Sequence, residues 1–363
     1  MLTLLIRLAA ITNLLIIAFQ PALACTDFVV NAQDGAVVNG RSMEWGEDLH
    51  SRLVLHPVHE AVASDAPGGK KGVSWTSKYG YIGIDANGLN CSVDGLNEKG
   101  LSVGFLWLPT YTKYQDVPAG QEASALDITT AGAWLLGNFS TVEEVHEAIS
   151  KVRVWAPDIP SVGGTPTAHF AIHDASGKNL VIEFVGGEQK IYDNPLGVLT
   201  NAPPFDWQTI NLRNYLQLRA ANPAPVKFDG KVYNSAGQGG GLLGIPGDWQ
   251  PPSRFVRTSA ILHFSQPVPT AKSAVNLSEH VLNAVDIPIG AISDTINGVV
   301  HHDYTQWIVV KDLSNKVLYY RSYDNLTLRY IDLKKLDFTK GTSAKLVSIE
   351  SGQPAEDATS AMQ

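Results

Sequence analysis

Two periodicities divide the chain. Polar and apolar residues alternate over 26–31 and 36–41 around the turn Asp34-Gly35, which predicts a β-hairpin with Cys25 at a strand end. Further strand patterns run over 52–56 and 72–84, and those at 91–96 and 101–108 flank a turn from Asn97 to Gly100. Over 123–152 the period becomes helical: Leu126, Ile128, Ala131, Trp134 and Leu135 share one face, and Ser140-Thr141-Val142-Glu143 reads as the capping box of a second helix. A meander follows at 168–174, 180–185 and 190–193. Helices are expected at 207–220 and 273–284 around a Gly/Pro-rich stretch from Gly237 to Pro252, and strands at 306–310, 317–322 and 328–333. With no repeat and no separating linker, the order of strands, helices and strands predicts one α+β domain over 25–345, sheets packed together and helices outside. A polar tail over 346–363 is expected to be disordered.

One apolar run belongs to neither pattern. Residues 1–24 carry a single charge, Arg7, the run Leu14 to Phe19, the breaker Gln20-Pro21, and Ala22-Leu23-Ala24. That is the form of a cleaved secretory signal. A membrane anchor needs about 20 mostly apolar residues, and Thr12, Asn13, Gln20 and Pro21 interrupt this segment. Cleavage after Ala24 would leave a periplasmic or secreted protein that begins with Cys25 and is not held at a membrane.

Losing the leader takes the net charge from −8 to −9, a mild acidity that argues against a nucleic-acid partner. A hydrophobic content of 44% supports a large core. The chain has two cysteines, Cys25 and Cys91. Export allows them to form a disulfide, and a cysteine at a signal's end can also be lipidated. Against lipidation, Ala22 stands where a lipobox has leucine.

A third reading gives Cys25 chemistry. A mature N-terminal cysteine carries its own α-amine, of pKa about 7.7–8.0, beside the sulfur, so nucleophile and base come in one residue. The predicted hairpin would bring Arg41 and Glu44 to the same end, where a cation lowers a thiol's pKa and a carboxylate can orient the amine. An ordinary strand-end ion pair is the alternative.

Five ordered segments make the chain resemble the choloylglycine hydrolase family of N-terminal nucleophile hydrolases, which comprises bile salt hydrolases and penicillin V acylases. They are Cys25-Thr26 with Asp34-Gly35; Gly40 to Glu44; Asp94 to Leu101; Gly197 to Asn201 continuing to Phe205-Asp206-Trp207; and Gly247-Asp248 with Pro252 to Phe255. The resemblance implies a four-layer αββα sandwich of two antiparallel sheets, no cofactor or metal, a small N-acyl amide as substrate, and a homotetramer. It implies Cys25 as nucleophile, Arg41 beside it, Asn201 as side-chain donor to the oxyanion, and Arg254 as a second active-site arginine. Glu44 stands where the family usually has aspartate.

Trp107 departs further, since bile salt hydrolases have asparagine there and Gram-positive penicillin V acylases tyrosine. The family uses that position's backbone N–H at the oxyanion, so the side chain is free to shape specificity. With Trp45 it would form an aromatic wall suited to a phenoxyacetyl group or an alkyl chain. Penicillin V and N-acyl homoserine lactones are therefore the expected substrates, with conjugated bile salts as the alternative within the family. A non-catalytic binding lipoprotein is the alternative outside it.

Other motifs have plainer readings. Asn97 to Gly100 reads as a hairpin turn, and Gly237 to Gly247 as a loop at the site entrance without a P-loop ending. His301-His302-Asp303 reads as a solvated loop, Cys91 as a buried small hydrophobe, and Trp75, Trp134 and Trp307 as core.

Overall fold

The computed structural model describes residues 24–296, 298–339 and 346–353. From the N-terminus come β1 (Cys25–Asn31), β2 (Val37–Trp45), β3 (Arg52–His56), β4 (Tyr81–Ala86), β5 (Leu89–Asn97) and β6 (Ser102–Trp107), followed by α1 (Ile128–Asn138) and α2 (Val142–Ile149). Next are β7 (Ala168–His173), β8 (Asn179–Val185), β9 (Glu188–Asp193), α3 (Phe205–Asn211), α4 (Pro251–Phe264) and α5 (Ala271–Asn283). The chain closes with β10 (Tyr304–Asp312), β11 (Val317–Ser322), β12 (Arg329–Asp332) and β13 (Leu346–Ser348).

Two sheets account for these strands. A five-stranded sheet has the order β1-β2-β10-β11-β12, and an eight-stranded one β9-β8-β7-β6-β5-β4-β3-β13. Every neighbouring pair is antiparallel. Helices α4 and α5 cover the outer face of the first sheet, and α1 and α2 cover the second, giving the expected four layers. Asp34 and Gly35 make the first hairpin: Asp34 Oδ1 accepts from the Ala36 N–H at 3.0 Å, and Gly35 takes φ +85°, a value that favours glycine. On the far side α1 lies so close to β5 that a Cβ on Gly132 would stand 2.0 Å from the Ser92 carbonyl oxygen.

Where the two sheets face one another near β1, the filling is polar. Asp27, Asn39, Arg41 and Lys311 of the first sheet meet Asp94, Ser102 and His173 of the second, all fully buried. Asp27 Oδ1 accepts from His173 Nε2 at 2.7 Å and Asn39 Nδ2 at 3.1 Å. Burial opposes ionisation of Asp27, but His173, Lys311 and Asn39 outweigh it and hold the carboxyl below its usual range.

Several expectations shift. The pattern over 72–84 is two strands of different sheets: Lys70–Thr76 pairs with Ala61–Ala66, while β4 joins the eight-stranded sheet. Thr141, not Ser140, caps α2, its side chain accepting from Glu144 N, while Glu144 reaches back to Ser140 N at 2.6 Å. The helix expected at 207–220 is α3 with a short 3₁₀ turn at Leu212–Tyr215. Helix α4 escaped the pattern because Pro251 and Pro252 open it; proline suits a first helical turn as well as a loop. Asn97 is more than a turn residue, since its Nδ2 donates to Leu136 O and Phe139 O at 2.9 and 2.7 Å and so closes the end of α1.

The tail boundary at 346 is corrected. Leu346–Ser348 is β13, paired with β3 at the sheet edge, because its backbone satisfies the strand's open hydrogen bonds. Residues 354–363 of that tail and residues 1–23 of the expected signal segment lie outside the described residues.

Candidate active site

Cys25 leads β1 and is buried at 2% exposure. The hairpin register places Cys25 opposite Met43 and Asp27 opposite Arg41, so Cys25, Arg41 and Met43 share the face that meets the second sheet. Cys25 Sγ lies 3.9 Å from Arg41 Nη2 and 3.8 Å from Met43 Sδ. Arg41 Nη1 donates to Val93 O and Asp94 Oδ2, both at 2.9 Å, Nη2 donates to Phe105 O, and the guanidinium lies 5.3 Å from the Trp307 ring centre. Asp94 accepts from Lys311 Nζ at 2.7 Å with its other oxygen. Burial pushes the Cys25 thiol above its ordinary pKa, and Arg41 and Arg254 act against that rise.

Arg254 comes from α4 and ties the site together. Its Nη1 donates to Cys25 O at 2.5 Å and Thr26 Oγ1 at 2.7 Å, and its Nη2 donates to Asn201 Oδ1 at 2.8 Å. Burial lowers its pKa, with Glu44 the largest opposing influence. Asn201 Oδ1 also accepts from Cys25 N at 2.5 Å, while its Nδ2 donates to Trp107 O at 2.8 Å. That leaves the second Nδ2 hydrogen for another acceptor. Leu108 N donates to Thr167 O on the β7 side, so alternation turns the Trp107 N–H to the other edge, where Trp107 O meets Asn201. Two donors thus face one region beside Cys25.

Glu44 projects from the opposite face of β2. A bulge in β10 lets Thr305 oppose Glu44 while Trp307 opposes Met43, and Thr305 Oγ1 donates to Glu44 Oε1 at 2.9 Å. Glu44 Oε2 has no partner among the described residues, and burial raises the carboxyl's pKa to about 7 against the pull of Arg254. The Glu44 N–H donates to Ala24 O at 3.0 Å.

A cleft of about 730 Å³, its open mouth included, has Cys25 in its wall. Trp45 and Trp107 stand edge to face with ring centres 5.1 Å apart, and Leu89, Val93, Ile128, Ile159 and Val162 complete a lining that is almost wholly apolar.

Two antiparallel sheets between helix layers, with a cysteine leading the first strand into a cleft, define the fold of an N-terminal nucleophile hydrolase. The chain belongs to the choloylglycine hydrolase family: residues 25–348 match the family described as linear amide C–N hydrolases, choloylglycine hydrolase family. It is therefore an amidohydrolase. It is 31% identical over 319 residues to a bile salt hydrolase/transferase of Clostridium perfringens, covering 86% of this chain and 93% of that protein. A solved variant of a conjugated bile acid hydrolase from Clostridium perfringens superposes with TM-score 0.77 at 28% identity, covering 91% of this chain and 99% of the other. A penicillin V acylase structure from Agrobacterium tumefaciens gives 0.73 at 27%, covering 89% and 91%.

All the residues singled out in the sequence, Cys25, Arg41, Glu44, Trp45, Trp107, Asn201 and Arg254, meet in this one site. Asp94, Lys311, Met43 and Thr305 were missed. Asp94 stood inside a quoted segment but read as part of a hairpin, and nothing local marks a lysine in a strand as the partner of a distant aspartate.

Other readings need correction. Cys25 and Cys91 are both free thiols, and Cys91 lines the cleft instead of the core because β5 is irregular where it leaves β4. Trp134 and Trp307 are buried, whereas Trp75 is half-buried. The stretch from Gly237 to Gly247 does not line the cleft; Gly241 O accepts from Arg219 N and Pro246 O from Arg257, which holds it against α4. Asp303 is not solvated: it is 6% exposed, and burial raises its pKa to about 7. Among the described residues no group of three or more His, Cys, Asp or Glu side chains is placed to hold a metal.

Proposed function

We propose that the protein is an exported cysteine amidohydrolase that cleaves N-acyl amides with an apolar acyl group, penicillin V and N-acyl homoserine lactones foremost. The observation that supports this most is the apolar cleft with Cys25 in its wall, the cysteine's own nitrogen held 2.5 Å from Asn201 Oδ1. A buried thiol with a raised pKa needs a base, and the peptide nitrogen joining Cys25 to Ala24 is none. Cleavage after Ala24 supplies one. The cut frees an α-amine and removes the Ala24 carbonyl from the Glu44 N–H, and the unpartnered Glu44 Oε2 becomes the counter-ion of the amine's protonated form.

The amine then takes the thiol proton as Sγ attacks the amide carbon. The carbonyl electron pair moves onto oxygen, held by Asn201 Nδ2 and the Trp107 N–H. The tetrahedral adduct collapses to a thioester, and the leaving amine takes the proton from the α-ammonium. Water, activated by the same amine, releases the acid. Asn201→Ala is expected to lower kcat by about 10²–10³-fold, the usual effect of losing one oxyanion donor; steady-state kinetics on any cleaved substrate will check it.

Substrate choice follows from the walls. Trp45 and Trp107 suit a flat ring or an alkyl chain, and the lining offers few polar partners, Asn87 and Thr129 among the described residues, for the hydroxyls of a bile acid. Protein secreted from the full-length gene is to be sized by intact mass and assayed on phenoxymethylpenicillin, a long-chain acyl homoserine lactone and glycocholate. We expect a mass beginning at Cys25 and kcat/KM for one of the first two at least about tenfold above glycocholate, the scale of a methylene or two of fit. A clear preference for glycocholate overturns the substrate choice; a lipidated or uncut Cys25 overturns the mechanism.

A further inference from the structure

Resting on that reading of Asn201 as oxyanion donor, the geometry points to Glu183 and His169 as positioning residues that set the loop carrying Asn201. Neither has been given a part in the chemistry above, yet both are fully buried. They sit on the adjacent central strands β8 and β7, and their side chains meet with His169 Nδ1 2.9 Å from Glu183 Oε1.

Asn201 stands between two fixed points. On one side Leu199 exchanges backbone hydrogen bonds with Asp27 of β1, and on the other α3 begins at Phe205. Between them the backbone has no regular pairing, so its polar groups depend on side chains. Thr200 O, immediately before Asn201, faces His169 Nε2 at 2.8 Å. Phe205 N donates to Glu183 Oε1 at 2.9 Å, the same oxygen that meets His169 Nδ1. The two side chains therefore grip the loop on both sides of Asn201. Gln208 Nε2 supports it from α3, at 3.3 Å from Asn201 O and 3.2 Å from Pro203 O.

The chemistry of the pair makes this grip specific. A carbonyl only accepts, so His169 Nε2 must carry a hydrogen. Nδ1 then faces an oxygen that is already accepting from Phe205. Two arrangements satisfy these three contacts: imidazolium against carboxylate, or neutral imidazole against a carboxylic acid that donates to Nδ1. Both contain the same single shared proton. Glu183 Oε2 has no partner among the described residues. An amide in place of Glu183 permits neither without a loss. If its oxygen accepts from Phe205 N and from Nδ1–H, a neutral ring turns a lone pair on Nε2 toward Thr200 O. If the ring stays charged, it is buried with no counter-ion. If instead the amide NH2 turns to Nδ1, Thr200 keeps its donor but Phe205 N–H loses its acceptor. Each case frees one side of the loop or leaves a buried charge uncompensated, and Asn201 loses its fixed place.

Glu183→Gln is the test, measured beside wild type and Cys25→Ala. Five quantities are read: kcat and KM, the rate of iodoacetamide reaction with Cys25, and binding of an aldehyde and of an alcohol carrying the same acyl chain. The aldehyde adds Sγ across its carbonyl and places the resulting oxygen at the donors; the alcohol only fills the cleft. We expect kcat to fall by up to about 10²-fold, as for a misplacement near 1 Å, with KM within about twofold, by the same logic. Aldehyde affinity should fall in parallel, while alcohol affinity and the alkylation rate stay as in wild type. A folded Glu183→Gln with wild-type kcat and aldehyde affinity overturns the assignment, as does an equal loss of aldehyde affinity, alcohol affinity and alkylation rate. Where Glu183→Gln yields no folded protein, Glu183→Asp is expected to show the same split at smaller amplitude, and its absence there overturns the assignment equally. Wild type inert toward every amide, or Cys25→Ala still active, would instead overturn the functional reading itself.

Discussion

Asp94→Ala is expected to lower the free energy of unfolding by about 3–5 kcal/mol, the range seen when one partner is removed from a buried ion pair. Asp94 has both oxygens engaged, Oδ2 by Arg41 and Oδ1 by Lys311, and all three side chains are fully buried. Removing it leaves two cations between the sheets. Arg41 retains the carbonyls of Val93 and Phe105, which accept hydrogen bonds but carry no net charge. Lys311 is worse placed, because the carboxylate it donates to is gone and only the through-space charge of Asp27 remains. Urea denaturation of wild type and Asp94→Ala gives the loss directly. The double variant Asp94→Leu with Lys311→Met should recover part of it by replacing charge with apolar volume. A single variant within about 1 kcal/mol of wild type, the ceiling for an exposed pair, would show that water reaches this layer. Activity should fall as well, since Asp94 orients the guanidinium beside Cys25.

Cys25→Ala is expected to remove turnover by a factor on the order of 10⁴–10⁶, the scale found when a covalent catalyst loses its nucleophile. Stability should barely change, because the thiol's neighbours are a thioether and a guanidinium end held by other partners. Substrate should still bind, since the cleft's apolar lining is intact. The control is Cys91→Ala. That second free thiol lines the same cleft, and burial raises its pKa to about 11, so it should behave as wall and leave kcat near wild type. Single-turnover hydrolysis with the four proteins, wild type, both single variants and the double, separates the cases. Residual activity in Cys25→Ala that disappears in the double variant would move the nucleophile to Cys91.

The hairpin of β1 and β2 was legible because alternation and an Asp-Gly turn are local, and with it came the meeting of Cys25 and Arg41. The meander and α5 were legible for the same reason. Helix α4 was not, since its opening prolines look like loop, although Arg254 was named from the resemblance. The polar layer of Asp27, Asp94, His173 and Lys311 could not be read at all: each charge is tolerable only through a partner far along the chain. Asp303 failed in the opposite direction, a polar motif that tertiary packing buries. The bulge in β10 was equally invisible, because the strand's alternation continues on both sides of it.

The two halves of the site have different supports. Cys25, Arg41 and Trp107 stand on paired strands, Arg254 on α4, and Asn201 on a loop tied to β1 and α3, so that a shift in one pulls several hydrogen bonds with it. Part of the cleft wall comes instead from Ile159, Val162 and Pro166 in the connection leading to β7 and from the first turn of α1. Such a connection can be rewritten by drift or duplication without re-engineering the machinery behind it. A lineage built this way would keep its way of breaking an amide while changing which amide it breaks. Grafting residues 156–167 between family members should therefore shift diet within the bounds that Trp45 and Trp107 set and leave the mechanism inherited intact.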